Sequence, residues 1–527
     1  MKNIVLKLYL LCYGIASGLF LTRFPYVHSD ESWLAWLSRD MMQARSLAVT
    51  ESFFNAKERY PHAIKSLYHL LQQGFIAAFG FTPAAVRLLS LSCALAFLYL
   101  FYHLLRHYGA TDRAALFITI LFSLDPWFFY LSHFARQEIF ILLFMAAALY
   151  AARRPLIAAL FTGIATGFHP NSFLIATCVT PVIAYEAFRQ VKEDGAGGEA
   201  LKKMASSVLH YVIPTGLIAL IYVAISNSFR PQFLKNYFTY GAADFGLDAA
   251  PGKRLEGLLT FFARIAQGVS GTYYLPFSRL HIAALIALIL VTLYRGIVLR
   301  KREGWRWLIA LSGLTAGMVI VARYNPLSFL FYLLFGYLLL ATCLSGDAPG
   351  KIFSGRRAVY IALTCLVLMA AQTLSEVSPW LHAGTYDAYL EKLSRYVPAG
   401  EKTLANLNTG FYFEAGALLD YRNLPYVVLD ADGRAPDEAE RVKRLRDYLK
   451  ENDVRYIVYP HELDYLYEHR PYYNVIYGNV MFIPALKALC ETECERVGSF
   501  TDLTYGVRVS NLFGLAPYTE VSVYALD

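Results

Sequence analysis

Two short acidic motifs contain residue types that could move a proton or bind an anion. Asp30 and Glu31 follow the first apolar segment of the chain, and Arg136 lies two residues before Glu138 at the start of a later one. A positioned carboxylate can act as a general base. An arginine can bind a phosphate group through two parallel hydrogen bonds. The two motifs could therefore supply a general base and a phosphate-binding arginine beside a second carboxylate.

Both motifs also have purely structural interpretations. Ser29 or Asp30 could cap the helix that starts here, where acidic side chains favour the positive N-terminal end. Arg136 and Glu138 could form an ion pair, or could anchor their helix at a membrane surface. The residues alone leave the catalytic and the structural alternatives open.

Three more side chains are candidates because each lies beside a break between apolar segments. Arg87 and Arg323 could each bind a phosphate or anchor a helix to lipid head groups. His169 precedes Pro170 and could line a cavity at a broken helix, or could be a buried structural residue. The His, Cys, Asp and Glu residues complete no metal-binding pattern, so the sequence predicts neither a metal site nor a cofactor.

The elements that must position these residues are mostly apolar. Hydrophobic types make up 57% of the 527 residues and charged types 17%, below the roughly one quarter of soluble domains. About eleven apolar segments are long enough, or nearly so, to cross a bilayer, which predicts a polytopic α-helical membrane protein. These segments cover residues 4–22, 84–105, 113–131, 137–152, 155–168, 171–188, 205–226, 281–299, 305–322, 326–344 and 357–374.

The net charge of +8 does not indicate nucleic-acid binding, because the basic residues cluster in short loops between apolar segments. If these loops are cytoplasmic, the polar stretches 23–83, 227–280 and everything after about 375 lie outside. We therefore predict a transmembrane catalytic domain over residues 1–374 and an extracytoplasmic α/β domain over 375–527. The absence of Asn-x-Ser/Thr sites favours a prokaryotic cell (inner) membrane as the location.

Two amphipathic helices are predicted in the first outer stretch. Apolar residues of 31–48 share one helical face, with Glu31 and Ser38 on the opposite, polar face. A second helix is predicted from Pro61 to just before Gly80. Helices of this kind are suited to lie in the membrane interface.

The C-terminal part has a different pattern from the rest of the chain. Residues 427–429 and 456–459 are short apolar runs that predict strands, and the charged residues 438–451 predict a surface helix between them. This alternation predicts the small α/β domain.

The order of these motifs resembles the GT-C glycosyltransferases. The most similar members are the dolichyl-phosphate-mannose–protein mannosyltransferases and the bacterial aminoarabinose transferases of lipid A. The Asp-Glu pair, an interfacial helix, the Tyr-Pro-His of residues 60–62 and residues 80–88 follow the first apolar segment in the order typical of these enzymes. Residues 134–138 are similar to the second outer motif of the family, an arginine shortly before an acid. The resemblance covers about the first 190 residues well and the rest by architecture alone.

The resemblance implies a polyprenyl-phosphate-linked sugar donor and an inverting single displacement. The first-loop aspartate, here Asp30, would be the general base, with Glu31 beside it. Glu138 matches the second acid of the family. The protein would therefore have membrane lipids and a lipid-linked donor as partners. The acceptor would be a protein, a lipid or another glycan.

Basic residues near the donor phosphate are implied in the same way. Arg87 and Arg136 match such residues, and we extend this expectation to Arg323. His62 stands where many relatives have a second proline, and His169 stands near a lysine of many relatives. We expect both histidines to line the cavity, with the identity of the donor left open.

Two further classes of protein remain as alternatives. One is an oligosaccharyltransferase or glycan ligase of similar architecture, which would need a metal site or a different acceptor groove. The other is a transporter or a sensor with an extracytoplasmic domain. A transporter would be expected to show repeated halves and polar interruptions at the middle of the membrane.

Overall fold

The computed structural model describes residues 2–193, 199–235, 250–268, 270, 273–321, 324–345, 356–382, 384–429, 434, 436–469, 480–503 and 518–526. Its N-terminal helices are α1 Lys2–Gly18, α2 Ser29–Ala44, α3 Ser66–Phe79, α4 Pro83–His107, α5 Asp112–Ser123, α6 Pro126–Ser132, α7 Glu138–Tyr150, α8 Pro155–Ala165, α9 Phe173–Glu193 and α10 Ala200–Phe229. The helices that follow are α11 Pro251–Gln267, α12 Arg279–Ile297, α13 Trp305–Val321, α14 Phe329–Leu344, α15 Arg356–His382, α16 Tyr386–Ser394, α17 Leu424–Val427, α18 Glu438–Glu451, α19 Glu462–His469 and α20 Phe482–Glu493. The strands are β1 Thr403–Ala405, β2 Leu418–Asp420, β3 Tyr456–Pro460, β4 Glu495–Leu503 and β5 Tyr518–Ala525.

Six of the described helical segments are long and apolar enough to cross a membrane, and joining α5 to α6 as one bent span would make a seventh. The six are Pro83–His107, Pro170–Glu193, Ala200–Phe229, Arg279–Ile297, Pro326–Leu344 and the apolar part of α15. Four further apolar helices are shorter, namely Ile4–Gly18, Glu138–Tyr150, Pro155–Ala165 and Trp305–Val321. A polytopic helical architecture is therefore present, and the count of about eleven spans stays a prediction.

The bend of 67° between α5 and α6 has a local cause. Pro126 begins α6 and has no N–H to continue the hydrogen bonding of α5. The carboxylate of Asp125 caps α6 by accepting the N–H of Trp127 at 2.9 Å. Its other oxygen accepts from Tyr337 at 2.8 Å and lies 3.1 Å from His281 Nε2. The bend is therefore anchored to α12 and α14.

The two helices of the first outer stretch differ from the predicted ones. α2 ends at Ala44 rather than Ala48, and α3 begins at Ser66 rather than Pro61. The prediction that Glu31 and Ser38 lie on a polar face of α2 is wrong, because both are buried. Their polar atoms have partners inside the protein, so helical periodicity did not reveal the burial.

The C-terminal part contains a five-stranded mixed sheet in the order β2-β1-β3-β5-β4. β1 pairs in parallel with β2 and β3, whereas β5 pairs antiparallel with β3 and β4. A core of buried residues from the sheet and its helices includes Leu404, Leu445, Ile457 and Leu489. Residues of one face of the sheet pack with these helices in this core, and residues of the other face, such as Val458, share a second core with Trp36 and Phe53.

The local predictions for the C-terminal part have mixed outcomes. The strand at residues 456–459 and the helix at 438–451 are confirmed as β3 and α18. The strand predicted at residues 427–429 is wrong, because α17 ends at Val427 and a bend follows. Leu424 and Val428 are buried in the core of this part without pairing in the sheet. These two apolar residues therefore pack in the core of the C-terminal part and do not form a strand.

This C-terminal part packs directly on α2 and the segment after it. Arg39 donates to the carbonyl of Phe413 at 2.9 Å, and the N–H of Asp420 donates to the carbonyl of Phe53 at 3.1 Å. The backbone of Gly410 lies so close to Ser32 and Trp36 that a Cβ there would overlap the Ser32 hydroxyl. The helix that begins beside Asp30 is therefore held in place by residues as much as 374 positions away.

Candidate active site

The start of α2, which carries Asp30 and Glu31, is fixed by a reciprocal cap. His28 has extended backbone geometry, and its Nδ1 accepts the N–H of Asp30 at 3.0 Å. The Glu31 carboxylate accepts the N–H of His28 at 3.0 Å, which completes a capping box. Neither Ser29 nor Asp30 is the cap, so that structural interpretation is wrong.

Glu31 is an internal residue rather than an exposed partner of Asp30. Its side chain is 1% exposed, and that of Arg87 is fully buried. Arg87 donates from Nε and Nη2 to the two Glu31 oxygens, both at 2.7 Å, and from Nη1 to the carbonyl of Leu21 at 2.7 Å. Glu31 also accepts the N–H of Ala135 at 2.9 Å. A paired and hydrogen-bonded charge can be buried, so this pair connects α2, α4 and the loop before α7.

Asp30 is the accessible carboxylate of the pair. Its side chain is 15% exposed, and its Oδ2 accepts from Arg136 Nη1 and, at 2.7 Å, from the hydroxyl of Tyr273. Because adjacent helical residues point about 100° apart, Asp30 reaches the surface while Glu31 turns inward. Asp30 therefore keeps access to an incoming molecule.

Arg136 forms the centre of the charged cluster. Besides its contact with Asp30, its Nη2 lies 3.1 Å from Oε1 of Glu138, which is itself buried. The Nε of Arg136 is buried and has no hydrogen-bond partner among the residues that the structure describes. One arginine thus faces two carboxylates and retains a free donor. Such a donor could meet a further anion.

Tyr273 is part of this cluster, although sequence reasoning did not identify it. Its hydroxyl contacts both Asp30 and Arg136, and its ring stacks on His28 with centroids 4.9 Å apart. Tyr273 lies in the stretch 227–280, which the sequence placed outside with Asp30. It stands beside a second tyrosine, Tyr274, but Tyr472 and Tyr473 are adjacent as well, so no local signal distinguished it among the 39 tyrosines of the chain.

The two predicted histidines have contacts of their own. His169 caps a 3-10 turn, accepting the N–H of Asn171 at 3.0 Å with its Nδ1, which fits a structural role. His62 lies near the ring of Phe233, and loss of hydration lowers the pKa of His62 to about 4. Arg323 lies outside the described residues. Its neighbour Tyr324 lines a cavity of about 230 Å³ beside α11.

Within the residues described by the structure, no three His, Cys, Asp or Glu side chains are grouped so as to hold a metal ion. The Asp30 cluster itself presents one accessible carboxylate beside an arginine and a tyrosine hydroxyl. A carboxylate can take a proton from an approaching hydroxyl or amine. An arginine with a free donor can stabilise a phosphate that leaves.

Comparisons with known proteins bear on the fold that holds this cluster. The profile of the family described as dolichyl-phosphate-mannose-protein mannosyltransferase matches residues 68–168. The crystal structure of ArnT from Cupriavidus metallidurans bound to undecaprenyl phosphate matches with a TM-score of 0.54 and 11% identity, over 98% of this chain and 97% of that chain. The chain has the fold of ArnT.

Apo ArnT from the same organism also matches, with a TM-score of 0.54 and 12% identity over 99% of this chain and 98% of that one. The oligosaccharyltransferase of Archaeoglobus fulgidus in the apo form matches with a TM-score of 0.46 and 14% identity, over 95% and 74% of the two chains. No curated protein matches the sequence. The resemblance to GT-C enzymes that the motifs indicated is confirmed, and the described helices that are long and apolar enough to cross a bilayer support an integral membrane protein.

Proposed function

We propose that the chain is a membrane glycosyltransferase that moves a sugar from a polyprenyl-phosphate donor to an acceptor on the extracytoplasmic face. The observation that carries this proposal is the partly exposed Asp30 carboxylate, held against Arg136 and Tyr273 in a protein with the ArnT fold. ArnT has been crystallised with undecaprenyl phosphate. A lipid phosphate of that class therefore suits this site as the leaving group.

The proposed reaction is a single inverting displacement. Asp30 takes the proton of the acceptor hydroxyl or amine while that atom bonds to the anomeric carbon of the sugar. The bond between this carbon and the phosphate oxygen breaks, and the phosphate leaves with the electron pair. A phosphate leaves as an anion without protonation, so one carboxylate suffices, unlike the pair of a glycosidase.

Arg136 is proposed to bind the donor phosphate. Its free Nε can donate to a phosphate oxygen, and its contact with Asp30 joins the leaving group and the base in one cluster. Glu138 would then hold Arg136 in place through their 3.1 Å ion pair. Arg323 stays a proposed phosphate ligand from its sequence position alone.

Arg87 is proposed to have a different role from the phosphate contact expected from the sequence. All three of its guanidinium nitrogens donate to Glu31 or Leu21, and its side chain has no exposed surface. It could not reach a phosphate without releasing a buried carboxylate, which is costly. We therefore assign Arg87 and Glu31 to positioning the start of α2.

We propose the orientation of the chain in the membrane from contacts between its three long polar stretches. Tyr273 of the stretch 227–280 contacts Asp30 of the stretch 23–83, and Arg39 of the latter contacts Phe413 of the C-terminal part. The three stretches therefore meet on one side of the bundle. The basic loops then make the opposite side cytoplasmic.

Labelling with a membrane-impermeant thiol reagent in intact cells tests the orientation. The seven native cysteines are first replaced, and single cysteines are introduced at the exposed Ser52 and Asp437, or at the exposed Lys202 of the opposite side. We expect labelling at the first two positions and protection at Lys202. The reverse pattern would overturn the proposed side of transfer.

Transfer from a polyprenyl-phosphate sugar tests the function. Purified protein is incubated with undecaprenyl-phosphate donors carrying different labelled sugars, and release of undecaprenyl phosphate is measured. Asp30→Asn should lower the rate about a hundredfold to ten-thousandfold, since it removes the base and keeps the side-chain size. Asp40→Asn, on the same helix and bonded to Ser52, is the matched control and should transfer normally. Equal rates in the two variants would exclude Asp30 as the base, and no release from any donor would favour a transporter or a sensor.

A further inference from the structure

A strongly basic cavity lies at the end of the bundle opposite to Asp30. Its volume is about 350 Å³, and its lining includes His107, Arg153, Arg189, Arg295, Glu303 and Arg306. α4 spans the distance between the two sites, because Arg87 near its start contacts Glu31 and His107 is its last residue. At 1.5 Å per helical residue, positions 87 and 107 are about 30 Å apart.

Arg306 is the residue that makes this cavity unusual. Its side chain is only 7% exposed, and its guanidinium lies over the ring of Tyr108 at 4.4 Å. Its Nη2 lies 3.2 Å from the buried Glu186, whereas its Nε is buried and has no hydrogen-bond partner among the described residues. A buried donor left without an acceptor costs free energy. This orphaned donor therefore points to a ligand that supplies an acceptor.

The charges around the cavity do not cancel. The Glu186 carboxylate is shared, since it also accepts from Arg153 Nε at 2.9 Å. Arg295 donates to the carbonyl of Cys343 at 3.1 Å and forms no ion pair among the described residues. Arg189 is paired with the exposed Glu193. The cavity thus holds more guanidinium charge than its carboxylates neutralise.

We propose that this cavity binds a phosphate-containing anion, either a phosphate ester or a pyrophosphate. Several arginines arranged around a small space match the tetrahedral oxygens of phosphate, which accept several hydrogen bonds at once. The tendency of basic residues to lie on the cytoplasmic side explains exposed arginines. It does not explain why Arg306 is buried with a free donor. The phosphate belongs either to the head group of an anionic lipid or to a soluble compound.

The proposal stands independently of the proposed transfer reaction. The cavity shares no residue with the Asp30 cluster, and its ligand could serve as a structural anchor without taking part in chemistry. Binding can therefore be measured directly, with no donor or acceptor present. Failure of the transfer assay would leave this inference untouched.

Titration calorimetry tests the proposal by measuring the binding of two phosphate probes to delipidated protein in detergent. The probes are dihexanoyl phosphatidylglycerol and inorganic pyrophosphate. Arg306→Gln and Arg295→Gln should each weaken binding at least tenfold. The double variant Arg300→Gln/Arg302→Gln, exposed on the same side but not lining the cavity, is the matched control and should bind like wild type.

The two probes distinguish the two sources of phosphate. Binding of phosphatidylglycerol alone assigns the cavity to a lipid head group, and binding of pyrophosphate assigns it to a soluble phosphate compound. If Arg306→Gln does not fold, Arg295→Gln still decides, because that side chain is only partly buried and bonds to a backbone carbonyl alone. No binding of either probe, or equal binding by the cavity variants and the control, overturns the proposal.

Discussion

The hydroxyl of Tyr273 donates a hydrogen bond of 2.7 Å to Oδ2 of Asp30, across 243 positions of sequence. The same carboxylate oxygen accepts from Arg136, so one atom is held by two donors from two different loops. This relationship orients Asp30 and leaves its other oxygen, Oδ1, turned towards His28 at 4.0 Å from Nδ1. The proton acceptor proposed for the reaction is thus held in place before the substrate arrives.

Replacing Tyr273 with Phe should slow transfer with little loss of stability. The variant keeps the ring stack on His28 and removes the hydroxyl, and a hydrogen bond to a charged group contributes about 1.5–3 kcal/mol. We expect kcat to fall about tenfold to a hundredfold while the donor KM changes less. Tyr274→Phe is the neighbouring control, because its hydroxyl contacts Glu376 instead. Equal losses of kcat in both variants would argue against a role through Asp30.

Replacing Arg136 should weaken donor binding. Arg136→Lys keeps a charge between Asp30 and Glu138 but loses the planar fork that binds phosphate, so we expect the donor KM to rise about tenfold. Initial rates against donor concentration measure the change. Arg113→Gln, exposed at the opposite end of the bundle, should leave the donor KM unaltered. An unchanged KM in Arg136→Lys would count against the phosphate role.

Replacing Arg87 should affect stability rather than donor binding. Arg87→Gln leaves the buried Glu31 without its cation, which typically costs about 3–5 kcal/mol. The double variant Glu31→Gln/Arg87→Gln should recover part of this loss, as a double-mutant cycle in chemical denaturation would measure. If Arg87→Gln has normal stability and a raised donor KM, the result would instead support the hypothesis from the sequence that Arg87 contacts the donor phosphate.

Adding a methyl group at Gly410 should disturb the packing of the C-terminal part on α2. The new Cβ would overlap Ser32 Oγ and lie 3.3 Å from Trp36 Cε3, and overpacking typically costs about 1–3 kcal/mol. Gly410→Ala should therefore lower the melting temperature, and Ser32→Ala in the same chain should restore most of it. Gly74→Ala, where a Cβ meets nothing within 4 Å, is the control. A lowered melting temperature that Ser32→Ala does not restore would contradict this contact.

Glu462 should make the stability of the C-terminal part depend on pH. Burial raises the pKa of Glu462 from its ordinary value of 4.5 to about 7, and a weaker contact with Thr519 opposes the shift. The native protein therefore holds a proton that the unfolded chain has released between these two pH values. Stability should fall as pH rises from about 4.5 to about 7 and should then level off.

The size of this effect follows from the shift in pKa. One unit corresponds to about 1.4 kcal/mol, so the fall amounts to a few kcal/mol at most. Chemical denaturation of wild type and Glu462→Gln between pH 5 and pH 8 measures it. The variant should show a flatter profile, whereas Glu451→Gln, exposed at the end of α18, should follow wild type. Parallel profiles for wild type and Glu462→Gln would contradict this assignment.

The sequence by itself determined the features that depend on local patterns. Long apolar runs indicated the helices that are able to cross a membrane, because backbone groups in lipid must bond within their own segment. The charged residues at 438–451 predicted a surface helix, and the short apolar run at 456–459 predicted a strand, and both are present. The order of motifs around Asp30 and Arg136 pointed to the GT-C enzymes without any structure.

Only the tertiary structure decided which side chains meet. The sequence predicts that Glu31 lies on the surface of α2. In the structure, Arg87, 56 positions away, neutralises the Glu31 carboxylate in the interior. Tyr273 carried no local signal, and where a strand was predicted at 427–429 a helix ends at Val427 and a bend follows. Hydrophobic periodicity shows only which residues of one helix or strand share a face. The partners that bury a charge or orient a carboxylate come from distant segments, so their contacts appear only when the chain is folded.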